Sequence, residues 1–80
     1  METGSKVWAY VFIETRRPRE VVRKVRRVRG VVNAEGLFGS PDVIAIVEGD
    51  DIAPMDSVID KIAKVPEVLS TDSKVSRWID

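Results

Sequence analysis

At 80 residues the chain makes one small domain, which buries only about 60% of its unfolded surface, so association with further copies would add burial that a monomer lacks. It contains no Cys and no His, which removes disulfides, thiolate nucleophiles, imidazole bases and the commonest zinc ligands. The 13 basic and 13 acidic residues cancel, but unevenly: residues 1–40 hold nine Lys or Arg against four acids, roughly +5, and residues 41–80 hold four against nine, roughly −5.

Carboxylate, Lys and Tyr chemistry remain, and no pair of these falls in an obvious apolar pocket. A non-enzymatic protein with no metal and no cofactor is therefore expected. No apolar run approaches the ~20 residues that cross a bilayer, and Met1 to Lys6 is polar, without the apolar region of a signal peptide. We expect a cytoplasmic protein with a flexible N-terminus over residues 1–5 and a single domain over 6–80. The absence of Gln, with Asn33 the one Asn, fits a thermophilic source.

The first strand is expected over Lys6 to Glu14, with Val7, Ala9, Val11 and Ile13 on one face and Trp8, Tyr10 and Phe12 on the other. Thr15 to Arg17 form a turn, and Pro18 opens a helix that runs to about Arg29 with Val21, Val22, Val25 and Val28 as its apolar stripe. Four β-branched residues weaken intrinsic helicity, so packing must hold this helix. Gly30 stops it. A second strand, about Val31 to Phe38, mixes Asn33 and Glu35 with apolar residues, as an edge strand does.

Gly39-Ser40-Pro41-Asp42 signals a turn, and Val43 to Val47 reads as a strand buried on both faces, ended by Glu48-Gly49-Asp50-Asp51. Asp50 or Asp51 caps a second helix with Pro54 in its first turn, Met55, Val58, Ile59 and Ile62 as its stripe, and Pro66 beyond its end. The last strand, about Glu67 to Ile79, is mixed again and reads as the other edge.

The order is βαββαβ. Val28-Arg29-Gly30-Val31 after the first helix matches Val65-Pro66-Glu67-Val68 after the second, which marks two βαβ units of about 37 residues. Right-handed crossovers put both helices on one face of a four-stranded antiparallel sheet in the ferredoxin-like order 4-1-3-2. The two strands apolar on both faces are the ones this order makes central. Two helices cover one face, and the other face is expected in a sheet-to-sheet homodimer. One of the two faces of the first strand packs on the helices and one stays open. With the aromatic set open, Trp8, Tyr10, Phe12, Ile44 and Ile46 form the pairing surface.

The chain resembles the ligand-sensing domain of the Lrp/AsnC (leucine-responsive/asparagine, feast/famine) transcription regulators, in its stand-alone form without a helix-turn-helix. The resemblance runs from Ala9-Tyr10-Val11-Phe12-Ile13 through Gly30-Val31 to the last strand. Its most specific part is Gly39-Ser40-Pro41-Asp42 with Val43 to Glu48, which looks like the family's Gly-x-aromatic-Asp turn and following strand, and Thr71-Asp72-Ser73 resembles its Thr-x-Thr segment. Pro41 stands where an aromatic residue is usual, and Pro66-Glu67 where Pro-Gly is usual. The resemblance implies a dimeric α/β barrel, higher ring oligomers, and a small effector, usually an amino acid, held by Gly39, Ser40, Asp42, Thr71 and Ser73. It also implies transcriptional modulation through a full-length regulator, without direct DNA binding.

On the residues alone, two readings of Gly39 to Asp42 stay open: a ligand-holding turn, whose N–H groups donate to a carboxylate while Asp42 or Asp72 receives an amino group, and a plain hairpin turn closed by Asp42. The Arg-rich stretch containing Arg16, Arg17, Arg23 and Arg27 is either a basic nucleic-acid contact or the solvated face of a helix with a single Val stripe. The alternation of Trp8, Tyr10 and Phe12 resembles a base-stacking platform, but Val43 to Val47 adds no aromatic or basic partner, which favours packing.

Overall fold

The computed structural model describes residues 7–77. Its elements are β1 (Val7–Glu14), α1 (Pro18–Val25), β2 (Val31–Gly36), β3 (Val43–Gly49), α2 (Ile52–Ala63) and β4 (Ser70–Arg77). The strands form one sheet in the order β2-β3-β1-β4, antiparallel at every junction. This is the ferredoxin-like βαββαβ arrangement, with the two doubly apolar strands in the centre.

Strand parity decides which face the helices cover. Val7, Ala9, Val11 and Ile13 are fully buried, together with Val43, Ala45 and Val47 of β3, Val21 and Val25 of α1, and Met55 and Ile62 of α2. The β1–β3 register sets Tyr10 opposite Ile46 and Phe12 opposite Ile44. These four and Trp8 therefore share the open face, where all five are only half-buried.

Several boundaries are tighter than the sequence suggests. α1 ends at Val25 rather than Arg29, because the N–H groups of Arg27 and Val28 reach the carbonyls three residues back, at 3.1 and 3.0 Å, which tightens the chain into turns. Val28 still packs against the core. β2 stops at Gly36 rather than Phe38, because Leu37 N–H turns to the Asp42 carbonyl at 2.7 Å. β4 begins at Ser70 rather than Glu67; Lys6, Trp78 and Ile79 lie outside the described residues. Asp51 is the N-cap of α2, its Oδ1 accepting from Ile52 N–H at 2.7 Å.

The internal repeat is visible in the backbone. Gly30 has φ +103°, and Glu67, its counterpart in the second unit, has φ +78°. The bonds around them match: Val31 N–H donates to Val28 O at 3.1 Å and Val68 N–H to Val65 O at 3.2 Å. Both units thus reverse direction through a left-handed residue, which glycine adopts freely and glutamate only with strain. At Gly30 a Cβ would also lie 2.6 Å from Val58 Cγ2. Glu67→Gly is expected to stabilise the fold by about 1 kcal/mol, and Gly30→Ala to destabilise it by more than that; urea denaturation of the two variants checks both signs.

Candidate functional site

The β2–β3 connection is tied to the end of β1 by Asp42. Its N–H donates to Ile13 O at 3.0 Å, its carbonyl takes Leu37 N–H, and its Oδ2 accepts Thr15 N–H at 3.0 Å. Thr15, a buried polar residue, passes the connection on, with Oγ1 accepting Arg17 N–H at 2.9 Å directly before α1. Asp42 therefore closes more than its own turn: it fixes the turn, the end of a central strand and the start of a helix to one another. Gly39 adopts φ +101° with open space around it.

Glu14, the last residue of β1, lies between two chain segments. Its Oε2 accepts from Ser40 Oγ at 3.2 Å and its Oε1 from Ser70 Oγ at 3.4 Å. Beside it opens a cleft of about 370 Å³ lined by Phe12, Glu14, Pro41, Ser70, Thr71, Asp72 and Lys74. The register explains the set: Glu14 faces Ser70, Phe12 faces Asp72 and Tyr10 faces Lys74, so these side chains project to the open side of the sheet. Asp72 and Lys74 form an exposed ion pair at 3.6 Å, which contributes little to stability and is cheaply rearranged.

The sequence-derived effector residues are thus partly assembled. Ser40 reaches the cleft through Glu14, and Thr71 lines it. Asp42 positions Pro41, which forms one wall, while Gly39 is in the turn outside the lining. Ser73 is paired opposite Val11, so its side chain points to the helix side. Asp72, read from the sequence as an acceptor for an amino group, does line the cleft, as does Lys74, whereas Glu14 and Ser70 carry no local signal; laying β1 against β4 in the predicted strand order brings Glu14 into view. Arg16, Arg17, Arg23 and Arg27 are exposed, with Arg17 near Glu20 at 3.7 Å. Among the described residues there is no cluster of metal-ligating side chains and no helix long and apolar enough to cross a membrane.

The model of the Lrp/AsnC ligand binding domain matches residues 8–76. The chain belongs to this family. Among solved structures it is similar to FFRP-DM1, with 30% identity over 88% of this chain and 97% of that one and a TM-score of 0.77. It is also similar to the hypothetical protein PHS023 from Pyrococcus horikoshii, with 28% identity, 92% coverage of each chain and a TM-score of 0.79. Escherichia coli AsnC shares the fold at 20% identity and a TM-score of 0.76; the match covers 88% of this chain and 50% of AsnC. No curated protein matches. A regulatory sensing role follows from membership of this ligand-binding family.

Asp42→Ala removes the acceptor of a part-buried N–H and is expected to cost about 1–3 kcal/mol. Glu14→Ala loses two exposed bonds and should stay within about 0.5 kcal/mol of the parent. Thermal melting of both variants separates the structural carboxylate from the one that faces the cleft.

Proposed function

We propose that the domain is a non-catalytic, oligomeric amino-acid sensor that modulates transcription through a full-length Lrp/AsnC-type regulator. The carrying observation is the chemistry of the cleft. Glu14 and Asp72 offer carboxylates to an ammonium group, Lys74 offers a cation to a carboxylate, and Phe12 and Pro41 supply apolar walls. A free α-amino acid carries both charges and a side chain, and breaking the exposed Asp72–Lys74 pair frees one partner for each of its ends. Its volume falls within the usual range for small-ligand sites, roughly 300–1,000 Å³. Ser40, Thr71 and the Gly39–Asp42 turn border it, with Thr71 opposite Ile13 and Ser73 opposite Val11 both on the helix-side parity of β4.

The open sheet face supports pairing of two copies. Trp8, Tyr10, Phe12, Ile44 and Ile46 form a contiguous apolar surface, edged by Glu35, Glu48, Asp72 and Lys74 on the same side, the apolar centre and charged rim of a protein interface. Four strands at about 4.8 Å spacing make the face roughly 19 Å wide with its rim, and its apolar centre on β1 and β3 is continuous, unlike scattered surface apolar residues. A ligand signals only if it prefers one arrangement of subunits over another.

Mass measurement in solution is expected to show a dimer or larger species, and Tyr10→Glu with Ile46→Lys to yield monomers. In a panel of amino acids, at least one should raise the melting temperature. At 100-fold excess over Kd the gain is about 2.7 kcal/mol, on the order of 10–20 °C for a domain of this size. Glu14→Ala with Asp72→Ala should abolish that shift. A monomer unmoved by every amino acid would sink the proposal.

A further inference from the structure

The Arg-rich stretch of the sequence takes no part in the amino-acid cleft, which opens at the β1–β4 side of the sheet. α1 packs over β2 and β3, and β2 is an edge strand, so one flank of the helix faces outward there. Arg19 and Arg23 stand one turn apart on that flank and Arg26 follows within the next, all three exposed. They border a groove of about 480 Å³ whose apolar side is made by Val22, Leu37 and Phe38. Arg26 is held in place by its Nε, which donates to Ala34 O at 3.0 Å. A helix with one buried Val stripe needs a solvated remainder, which explains polar residues here but not their common sign. Glu20, the acid of this helix, is engaged by Arg17 and Lys24 at 3.7 and 3.4 Å. Arg19, Arg23 and Arg26 form no ion pair among the described residues, and no acidic side chain lines the groove.

Phe38 is the second unexplained feature. Its ring is fully exposed, although aromatic side chains carry the largest apolar surfaces and dominate cores and interfaces. The backbone beneath it is anchored: Leu37 N–H donates to Asp42 O at 2.7 Å, and Asp42 N–H to Ile13 O at 3.0 Å. Gly39, next in the chain, has nothing within 4 Å of the point where a side chain would begin, so the ring is open to a planar group. The groove is on the helix side of the sheet, and pairing of two copies through the opposite face leaves it uncovered.

We infer that this groove holds single-stranded nucleic acid, with Arg19, Arg23 and Arg26 on successive phosphates and one base stacked on Phe38. Arg19 to Arg26 spans about 10 Å along the helix, a row too long for one carboxylate to neutralise, which selects a polyanion. The exposed ring selects a polyanion that carries bases. A cationic track beside an aromatic platform is how single strands are held without sequence preference, whereas in a duplex the bases stack on one another and are closed to the ring. Phosphate and base are common to DNA and RNA, and nothing in the lining singles out either sugar.

The test is fluorescence anisotropy of the full chain with labelled oligothymidylate and oligouridylate of about 10 nucleotides. Binding of either upholds the inference, and the comparison assigns the sugar. Three phosphate contacts on a single strand give a slope of log affinity against log salt of about −2, so affinity at about 0.2 M salt should be roughly 16-fold below that at about 0.05 M. Arg19→Gln with Arg23→Gln should flatten the slope by about 1.4. Phe38→Ala should weaken binding about 5- to 150-fold while leaving the slope unchanged, and Phe38→Trp should retain it. Lys61→Gln with Lys64→Gln, on the other helix, should bind as the parent does. Melting temperatures near the parent's establish that each variant is folded; Phe38 is outside the core, so its removal keeps the test readable. No binding at low salt overturns the inference, as does affinity indifferent to Phe38→Ala or equally reduced by the lysine variant. A duplex bound as tightly as the single strand makes the flank a plain phosphate contact instead. Displacement by polyglutamate as readily as by unlabelled oligonucleotide makes it a surface for acidic peptides, and displacement by benzoate makes it a small-anion site; each of these also overturns it.

Discussion

The structure depends on β1 and β3 lying side by side. Val7 to Ile13 pairs with Gly49 to Val43, and both strands are apolar on both faces, so neither can sit at an edge without exposing a full row of side chains. Once the two are central, the remaining strands have nowhere to go but outside, and two right-handed crossovers deliver both helices to one side. The buried set on that side is small, mostly Val and Ala on the strands with Met55 and Ile62 from α2. Val21 and Val25 of α1 complete it, and the aromatic bulk of β1 lies on the opposite face.

That division has a functional side. The helix-covered face supplies stability, and in the proposed function the open face supplies recognition. The cleft sits where the two meet. Glu14 is the final residue of a central strand, yet its carboxylate touches the β2–β3 connection and the start of β4. A ligand that draws on Glu14 and Asp72 therefore acts on three segments at once without opening the core. Asp42 works in the reverse sense: its bonds to Ile13, Leu37 and Thr15 tie the turn to the end of β1 and the start of α1.

Much of the fold was legible because parity and punctuation are local. The period-2 pattern of Val7 to Ile13, the bounded run Val43 to Val47 and the two prolines near helix starts each act within a few residues. The repeat Val28-Arg29-Gly30-Val31 against Val65-Pro66-Glu67-Val68 even marked the two left-handed positions, although Glu67 hides its conformation behind an ordinary side chain. Choosing the face of β1 was beyond pattern reading, since both faces are apolar; smaller Val and Ala fit beneath the helices, and the large rings take the open side. The length of α1 was overestimated because the Val stripe continues to Val28 while the backbone tightens after Val25. Of the site, the turn itself was marked by Gly39 and Pro41, but Glu14 was not, because its partners lie 26 and 56 residues away in sequence and only the closed sheet unites them.

The β1–β4 ladder carries one more implication. It sets Val7 opposite Arg77 at one end and Glu14 opposite Ser70 at the other. Both ends of the described chain thus leave the sheet together, at the margin opposite Glu14, three residues beyond Lys74 of the cleft lining, roughly 10 Å at the usual rise. Under the proposed sensor function, a ligand held at the Glu14 end reaches the two described chain ends along the paired strands β1 and β4.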